Sequence, residues 1–599
     1  MRYKSILTVF ILTFSTACKS QSVLPLSDLD EIKKGRSILS TYTCEDLIEK
    51  AQDTSFSLRG LASLRALAKC PEFKYDLSQL SDLEKKLYAS EIESFAAVKA
   101  DHNRPELTVK ELKKAIKNEK KPEAKLALYK TLRAKLKKAT SKTDFVHVTD
   151  QMFNWATSYY KKNKTSAVAA DQLYEVTQLY VRTHWTEDRA TVATKAIRST
   201  ADLIGADHTL AELYYLEGRI QEENQNYTEA VQGYDLALSD IQKYKLTSTS
   251  FGTERLMWLK SWILYKQKNF EEAEKSLQAL VEKTEDLSEK SRAQFYRARS
   301  LKFLLRDAEA KVLLEQVSQT DFFGYYGLVS YRELGKKLPA LSGLKSTNSI
   351  KFDLDLKALA DLDRRIYVDL IKYREFNIAE KAVSLMSKSK DDEVNLALYL
   401  AQKSQIYMPV FRQFARLTNT EKIDLFIAYP ELIFPQPYQD QVNEMSTKTK
   451  LPSSLIYSIM KQESAFNERA RSPADAFGLM QVIPGLARQL SRKFEVPYRH
   501  QVDLFDPIIN IQLGSYELME QVRKQNGQLT YVAAAYNAGP NALSSWLKSR
   551  KRDDVLEFIE EIPYDETKTY VKLIARNKLF YERISNRDTE HDFPSDFLN

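Results

Sequence analysis

From about Asp28 to Tyr429, apolar residues recur at spacings of three and four almost without a break, and no stretch shows convincing strand alternation. A chain patterned this way buries its apolar surface by packing helix on helix. Punctuation is correspondingly sparse. With 15 Gly and 17 Pro in 599 residues, long helices joined by short connections are expected and an all-β fold is disfavoured. The length exceeds what one core serves, so more than one domain is expected. The fold class is all-α.

Within the helical region two stretches are alike. Ala211 to Ser239 and Trp258 to Glu282 each run an apolar helix into a polar turn with Asn before an aromatic, Asn226-Tyr227 and Asn269-Phe270. Each then places Ala at the packing point, Ala230 and Ala273, and a weaker third copy spans Arg292 to Gln316. The pattern resembles tetratricopeptide-type (TPR-like) helical hairpins, which stack into an α-superhelix. The plainer reading is an irregular helical array with chance similarity. Lys110 to Lys142 is rich in Lys and reads as a solvated helix surface. Asp321 to Gly335 is dense in aromatics and glycine, as core packing is, and Lys336 to Ser349 is loop-like. Tyr429 to Gln441 carries three prolines, which break helix and mark a domain boundary. Net charge is 89 − 81 = +8. Spread over so long a chain, it does not point to nucleic acid, though it suits an anionic polymer.

The N-terminus reads as an export signal. Arg2 and Lys4 supply positive charge, and Ile6 to Phe14 is an apolar run too short to span a membrane. Small residues Ser15, Thr16 and Ala17 follow, then Cys18. The stretch resembles a bacterial lipoprotein signal, whose cleavage leaves a lipidated Cys18. It departs from that pattern at Ser15, where Leu is usual, and Ser-Thr-Ala also suits an ordinary cleavage site. The remaining cysteines are Cys44 and Cys70. In an exported chain these can form one disulfide, which leaves Cys18 as the odd residue. Two buried thiols are the other reading.

In the C-terminal part, Pro452 suits a helix start. Ile456, Ile459 and Met460 then mark one apolar face, on which Glu463 also falls. Desolvation there raises a carboxyl pKa and keeps a proton available for general acid work. A Glu at a frayed helix end, looking at solvent, is the bland reading, and a single Glu would not outweigh it. Three further stretches do. Ser472 has a hydroxyl able to orient a carboxyl group. Phe477 to Pro484 holds Gly478, which permits close backbone approach. Its Met480 offers a polarisable face for a sugar ring and its Gln481 an amide for sugar hydroxyls. Tyr531 to Pro540 is an Ala-rich helix ending in Tyr536 and Asn537. Ile562-Pro563 precedes Glu566 and Tyr570, four apart on one helix face.

Glu463-Ser464, Gly478 to Gln481, Ala535 to Gly539 and Ile562-Pro563 with Glu566 and Tyr570 resemble, in order and spacing, the four motifs of the lytic transglycosylases related to goose-type lysozyme. The match is strongest over about residues 440 to 585. The preceding helices resemble the superhelical part of the soluble lytic transglycosylases. The resemblance implies a lysozyme-like α domain that cleaves peptidoglycan glycan strands between N-acetylmuramic acid and N-acetylglucosamine. It implies Glu463 as acid and then base, closing a 1,6-anhydro end. It implies Ser472 and Tyr570 as groups orienting Glu463 or its substrate. Met480, Gln481, Tyr536 and Asn537 would line sugar subsites, with Glu566 in the last motif. The expected domains are a signal peptide (1–17), a superhelix (18–335), a helical linker (336–440), the catalytic domain (441–587) and a tail (588–599). No metal or cofactor is implied, and the six His lack HExxH spacing. Expected partners are glycan strands and proteins on the helical repeats, with membrane contact only through lipid on Cys18. Two rivals remain. Asp475, where a small residue is usual, could serve as base in a hydrolytic lysozyme-type muramidase. Alternatively, the chain is a non-catalytic wall-binding scaffold.

Overall fold

The computed structural model describes residues 37–70, 72–93, 107–138, 142–247, 249 and 251–594. The signal peptide 1–17 and Cys18 lie outside the described residues. Helices account for nearly all the regular structure among those described, as the spacing of apolar residues requires. No helix among them is long and apolar enough to cross a membrane. Contacts divide the chain into two compact units.

Among the described residues, the first unit holds those within 107–322 and 329–334. It is a series of antiparallel helical hairpins, among them Ala211–Glu223 with Tyr227–Lys243, Thr253–Lys266 with Phe270–Lys283, and Leu287–Phe303 with Asp307–Thr320. Ala230, Ala273 and Ala310 are fully buried where paired helices cross. In the first of these hairpins two glycines let the helices approach closely. A Cβ on Gly218 would sit 2.5 Å from the Tyr234 ring, and one on Gly233 would sit 3.0 Å from the Gly218 Cα. The turns share one geometry. Gln225, Lys268 and Leu305 have φ of 63°, 60° and 60°. Each is followed by a residue whose N–H reaches back five positions, Asn226 to Gln221, Asn269 to Leu264 and Arg306 to Leu301. This is the Schellman ending. Asp188 repeats it in this unit and Arg374 in the second, with φ of 61° and 59°.

Among the described residues, the second unit holds those within 37–93, 323–328 and 335–594. Its N-terminal helices Cys44–Gln52 and Arg59–Lys69 are joined by a Cys44–Cys70 disulfide. They pack on helices 361–386. Glu375 is buried and takes a salt bridge from Arg65, Ser57 donates to Asp369 at 2.5 Å, and the Ile38 N–H bonds the Tyr373 carbonyl at 2.9 Å. The division of the chain at residue 335, drawn along the sequence, therefore differs from the division in space. The buried Glu375 carboxylate draws its counter-charge from more than 300 residues away. The proline-rich stretch is likewise not a bare spacer. Its Phe434 stacks on Phe580 at 5.1 Å, and its Pro435 carbonyl accepts from Tyr581 at 2.9 Å.

Candidate active site

Helix Ser453–Ser464, the acid helix, buries Ile456, Ile459 and Met460 completely. It packs along helix Asp565–Ile584, with Tyr457 stacked on Tyr581 at 5.4 Å and Ser454 bonded to Glu582 at 3.0 Å. The acid helix ends at Ala465 and Phe466, with φ of 50° and 64°. Ser464 is buried there and donates to the Leu479 carbonyl at 2.8 Å, which ties the helix end to the loop beyond it.

Glu463 lies on this last turn, half-buried. Tyr570, itself buried, donates to its Oε1 at 2.7 Å. Burial pushes the Glu463 carboxyl up to about 7, with Glu566 adding to the rise and the Tyr570 hydrogen bond opposing it. The two tyrosines beside it, Tyr536 and Tyr570, have pKa values well above ordinary, first through burial and then through the Glu463 charge. Both therefore remain hydrogen-bond donors. The arrangement is one protonatable carboxyl held by a phenol, with a second carboxylate, Glu566, exposed one helical turn before Tyr570.

The 477–484 loop is built around an Asn that the sequence reading did not single out. Asn510, fully buried on helix Pro507–Lys524, accepts from the Met480 N–H at 2.7 Å. It donates to the Phe477 and Leu504 carbonyls at 2.8 and 2.7 Å. Gly478 has φ of 75°, and a Cβ there would lie 2.2 Å from the Leu504 carbonyl oxygen. The one available signal for Asn510 was a polar amide set among Ile508, Ile509 and Ile511.

The other residues singled out from the sequence have partners of their own. Met480 is fully buried and its side chain fills the space over Gly514, where a Cβ would meet it at 2.5 Å. It therefore presents its backbone carbonyl, which accepts from Tyr536 at 2.9 Å, and no surface to a sugar. Ser472 does not hold Glu463. Its Oγ accepts from the N–H groups of Ala474 and Ala476 at 3.2 and 3.1 Å and so closes its own loop. Gln481 spends its amide nitrogen on the Ala470 and Gly478 carbonyls, at 3.1 and 2.8 Å, which leaves its oxygen as the group to offer. Asn537 accepts from Thr567, a buried residue also absent from the sequence reading, at 2.6 Å. Asp475 is exposed and paired with Arg471 at 2.6 Å. Among the described residues no His, Cys, Asp and Glu cluster could hold a metal ion.

The C-terminal helical unit thus sets one desolvated acid, Glu463, against a phenol, Tyr570, and comparison with known proteins shows what it is similar to. Residues 440–559 match the transglycosylase SLT domain. The soluble lytic murein transglycosylase of Escherichia coli K12 is 30% identical over 308 residues, which are 49% of this chain and 44% of that protein. The putative soluble lytic murein transglycosylase of Haemophilus influenzae is 34% identical over 172 residues, 28% of this chain and 29% of its own. These matches span less than half the length of either relative. Among solved structures, the 70 kDa soluble lytic transglycosylase of Escherichia coli aligns with a TM-score of 0.56 at 19% identity, over 92% of this chain and 90% of that one. The lytic transglycosylase Slt of Pseudomonas aeruginosa aligns with a TM-score of 0.56 at 18% identity, over 96% and 98%. The fold is that of these enzymes, a superhelical region and a lysozyme-like domain. The similarity to the transglycosylase SLT domain covers residues 440–559 of the chain.

Proposed function

We propose that this chain is a peptidoglycan lytic transglycosylase, cleaving the β-1,4 bond between N-acetylmuramic acid and N-acetylglucosamine without consuming water. The observation that carries the reading is Glu463, a carboxyl pushed up to about 7 and held by Tyr570 at 2.7 Å. Near neutral pH it holds a proton and gives it to the glycosidic oxygen as the C1–O bond breaks. The resulting carboxylate takes the proton of the muramoyl C6 hydroxyl while that oxygen bonds C1. A 1,6-anhydro end forms and the acid is regenerated.

An ordinary glycosidase needs a second carboxylate as nucleophile or as base for water. Here the attacking hydroxyl belongs to the substrate, so proximity replaces the second group. Asp475, exposed and ion-paired with Arg471, is poorly suited to be that second group, which counts against the hydrolytic reading. Tyr570 positions Glu463. The Gln481 oxygen, Tyr536, Asn537 and Glu566 contribute to the sugar subsites.

Such a substrate requires export, for which residues 1–17 serve as the signal. Lipid on Cys18 would hold the enzyme at the outer membrane, and helical hairpins of this kind also suit protein partners. Mass spectrometry of digested peptidoglycan tests the reading. Wild type is expected to release anhydro-muropeptides and Glu463→Gln none. Reducing ends carrying solvent oxygen would mean a muramidase, and intact peptidoglycan with retained binding would mean a scaffold.

A further inference from the structure

Lys461 sits on the acid helix two residues before Glu463, yet the reaction above gives it no task. Residues two apart on a helix lie roughly 200° apart, so its side chain leaves the helix on another side. Its Nζ lies 3.1 Å from the centroid of the Phe411 ring and 5.0 Å from that of Phe434, and it donates to the Ile433 carbonyl. Among the described residues no carboxylate pairs with it. Phe411 belongs to helix Met408–Arg416, and Ile433 ends the short helix Pro430–Ile433. Phe411 in turn stacks on Tyr407 at 6.2 Å, and Tyr407 meets the edge of Phe466 at 5.8 Å. Phe466 is the second left-handed residue after the acid helix. One aromatic pair, Tyr407 and Phe411, thus grips the chain on both sides of Glu463, at 461 and at 466. All these anchors precede residue 440, where the match to the SLT domain begins.

We propose that Lys461 is a positioning residue for Glu463, clamping the last turn of the acid helix to the linker helices so that the carboxyl stays desolvated against Tyr570. An amine held against two rings and a carbonyl is expensive to keep where methylene groups would fill the same space. Burial, and then Arg576, hold its pKa well below that of an ordinary lysine. The amine needs only to donate one N–H to the Ile433 carbonyl and rest another on the Phe411 ring, which it does in either protonation state. Without the clamp, the last helical turn frays, water reaches Glu463, and its pKa falls toward the ordinary carboxyl value. The titratable groups facing Glu463 are Tyr570 and Glu566 from helix Asp565–Ile584 and Tyr536 from helix Leu529–Ala538. Lys461 and Arg576 do not act on it directly, so a shift in its titration reports position.

This inference rests on the proposed transglycosylase reaction for its rates but not for its titration. In the full chain, Lys461→Met keeps length and apolar bulk while removing the donor. The expected result is a kcat lower by about 10- to 100-fold with KM within twofold, and a basic limb of the pH–rate profile displaced to lower pH. The Glu463 carboxyl, followed by infrared difference against Glu463→Gln, should titrate near 7 in wild type and lower in Lys461→Met. Phe411→Leu, which leaves the acid helix untouched, should shift the titration the same way, and the double variant should shift it little further. An unmoved titration midpoint in folded Lys461→Met, or additive shifts, would overturn the proposal. If wild type releases no anhydro products while the midpoints shift as expected, the reaction is wrong and the positioning stands.

Discussion

At the scale of a residue, the acid is stabilised in its neutral form by the fold and therefore destabilises the fold when ionised. Glu463 has an ordinary value near 4.5 when unfolded and about 7 when folded. Below about pH 4.5 both states hold the proton and nothing is lost. Between pH 4.5 and 7 the unfolded carboxyl ionises while the folded one keeps its proton, so stability falls by about 3 kcal/mol over that window and no further above it. Glu463→Gln keeps an acceptor for Tyr570 and removes the charge. The variant is expected to unfold at a higher temperature than wild type at pH 8 and at the same temperature at pH 4, as calorimetry at the two pH values will show. Equal melting at pH 8 would mean that Glu463 is hydrated. The identity of this acid was legible because Ile456, Ile459 and Met460 declare the face on which it lies. Tyr570 was legible only through family resemblance, since nothing local in its helix says which residue it meets. Met480 was misread for a related reason. A side chain's composition says what it could touch, while Gly514, thirty-odd residues on, decides where it goes.

At the scale of an element, the hairpins repeat a turn that the sequence conceals. The Schellman ending favours Gly in its left-handed position, yet Asp188, Gln225, Lys268, Leu305 and Arg374 occupy it. Without glycine to mark them, the copies were detected from Ala230, Ala273 and the Asn–aromatic pairs, and those ending at Asp188 and Arg374 were missed. A left-handed non-Gly residue costs about 1 kcal/mol, and Leu305 in addition is 87% exposed. Leu305→Gly is accordingly expected to stabilise the first unit by about 1 kcal/mol, read as a higher melting temperature. A lower one would mean that the Leu305 side chain makes contacts that outweigh its backbone strain. The boundaries of the helices were broadly legible for the opposite reason: their apolar spacing is periodic and local.

At the scale of the whole molecule, long-range pairing was not legible. No periodicity announces that Arg65 answers Glu375 or that helices near residue 60 pack on those near 370. Cysteine count did carry one such contact, since an exported chain with Cys44 and Cys70 has one pairing open to them once Cys18 is set aside. That bond closes a separation of 26 residues. Cys44→Ser, or reductant on the wild type, is expected to cost about 3 kcal/mol in the second unit, seen as an earlier transition in thermal unfolding while the first unit's transition stays in place. An unchanged second-unit transition would mean that the helices 37–93 contribute little to that unit's stability.

The hydrogen bond between Glu463 and Tyr570 joins groups 107 residues apart. During synthesis the acid thus emerges long before the phenol that aligns it and the helix that buries it. Until that helix docks, residue 463 is an ordinary solvated glutamate, ionised at neutral pH and unable to donate a proton. A half-made or misfolded copy of this chain is therefore chemically silent. For a protein whose proposed target is the layer that keeps a cell from bursting, competence arrives only with completion of the fold.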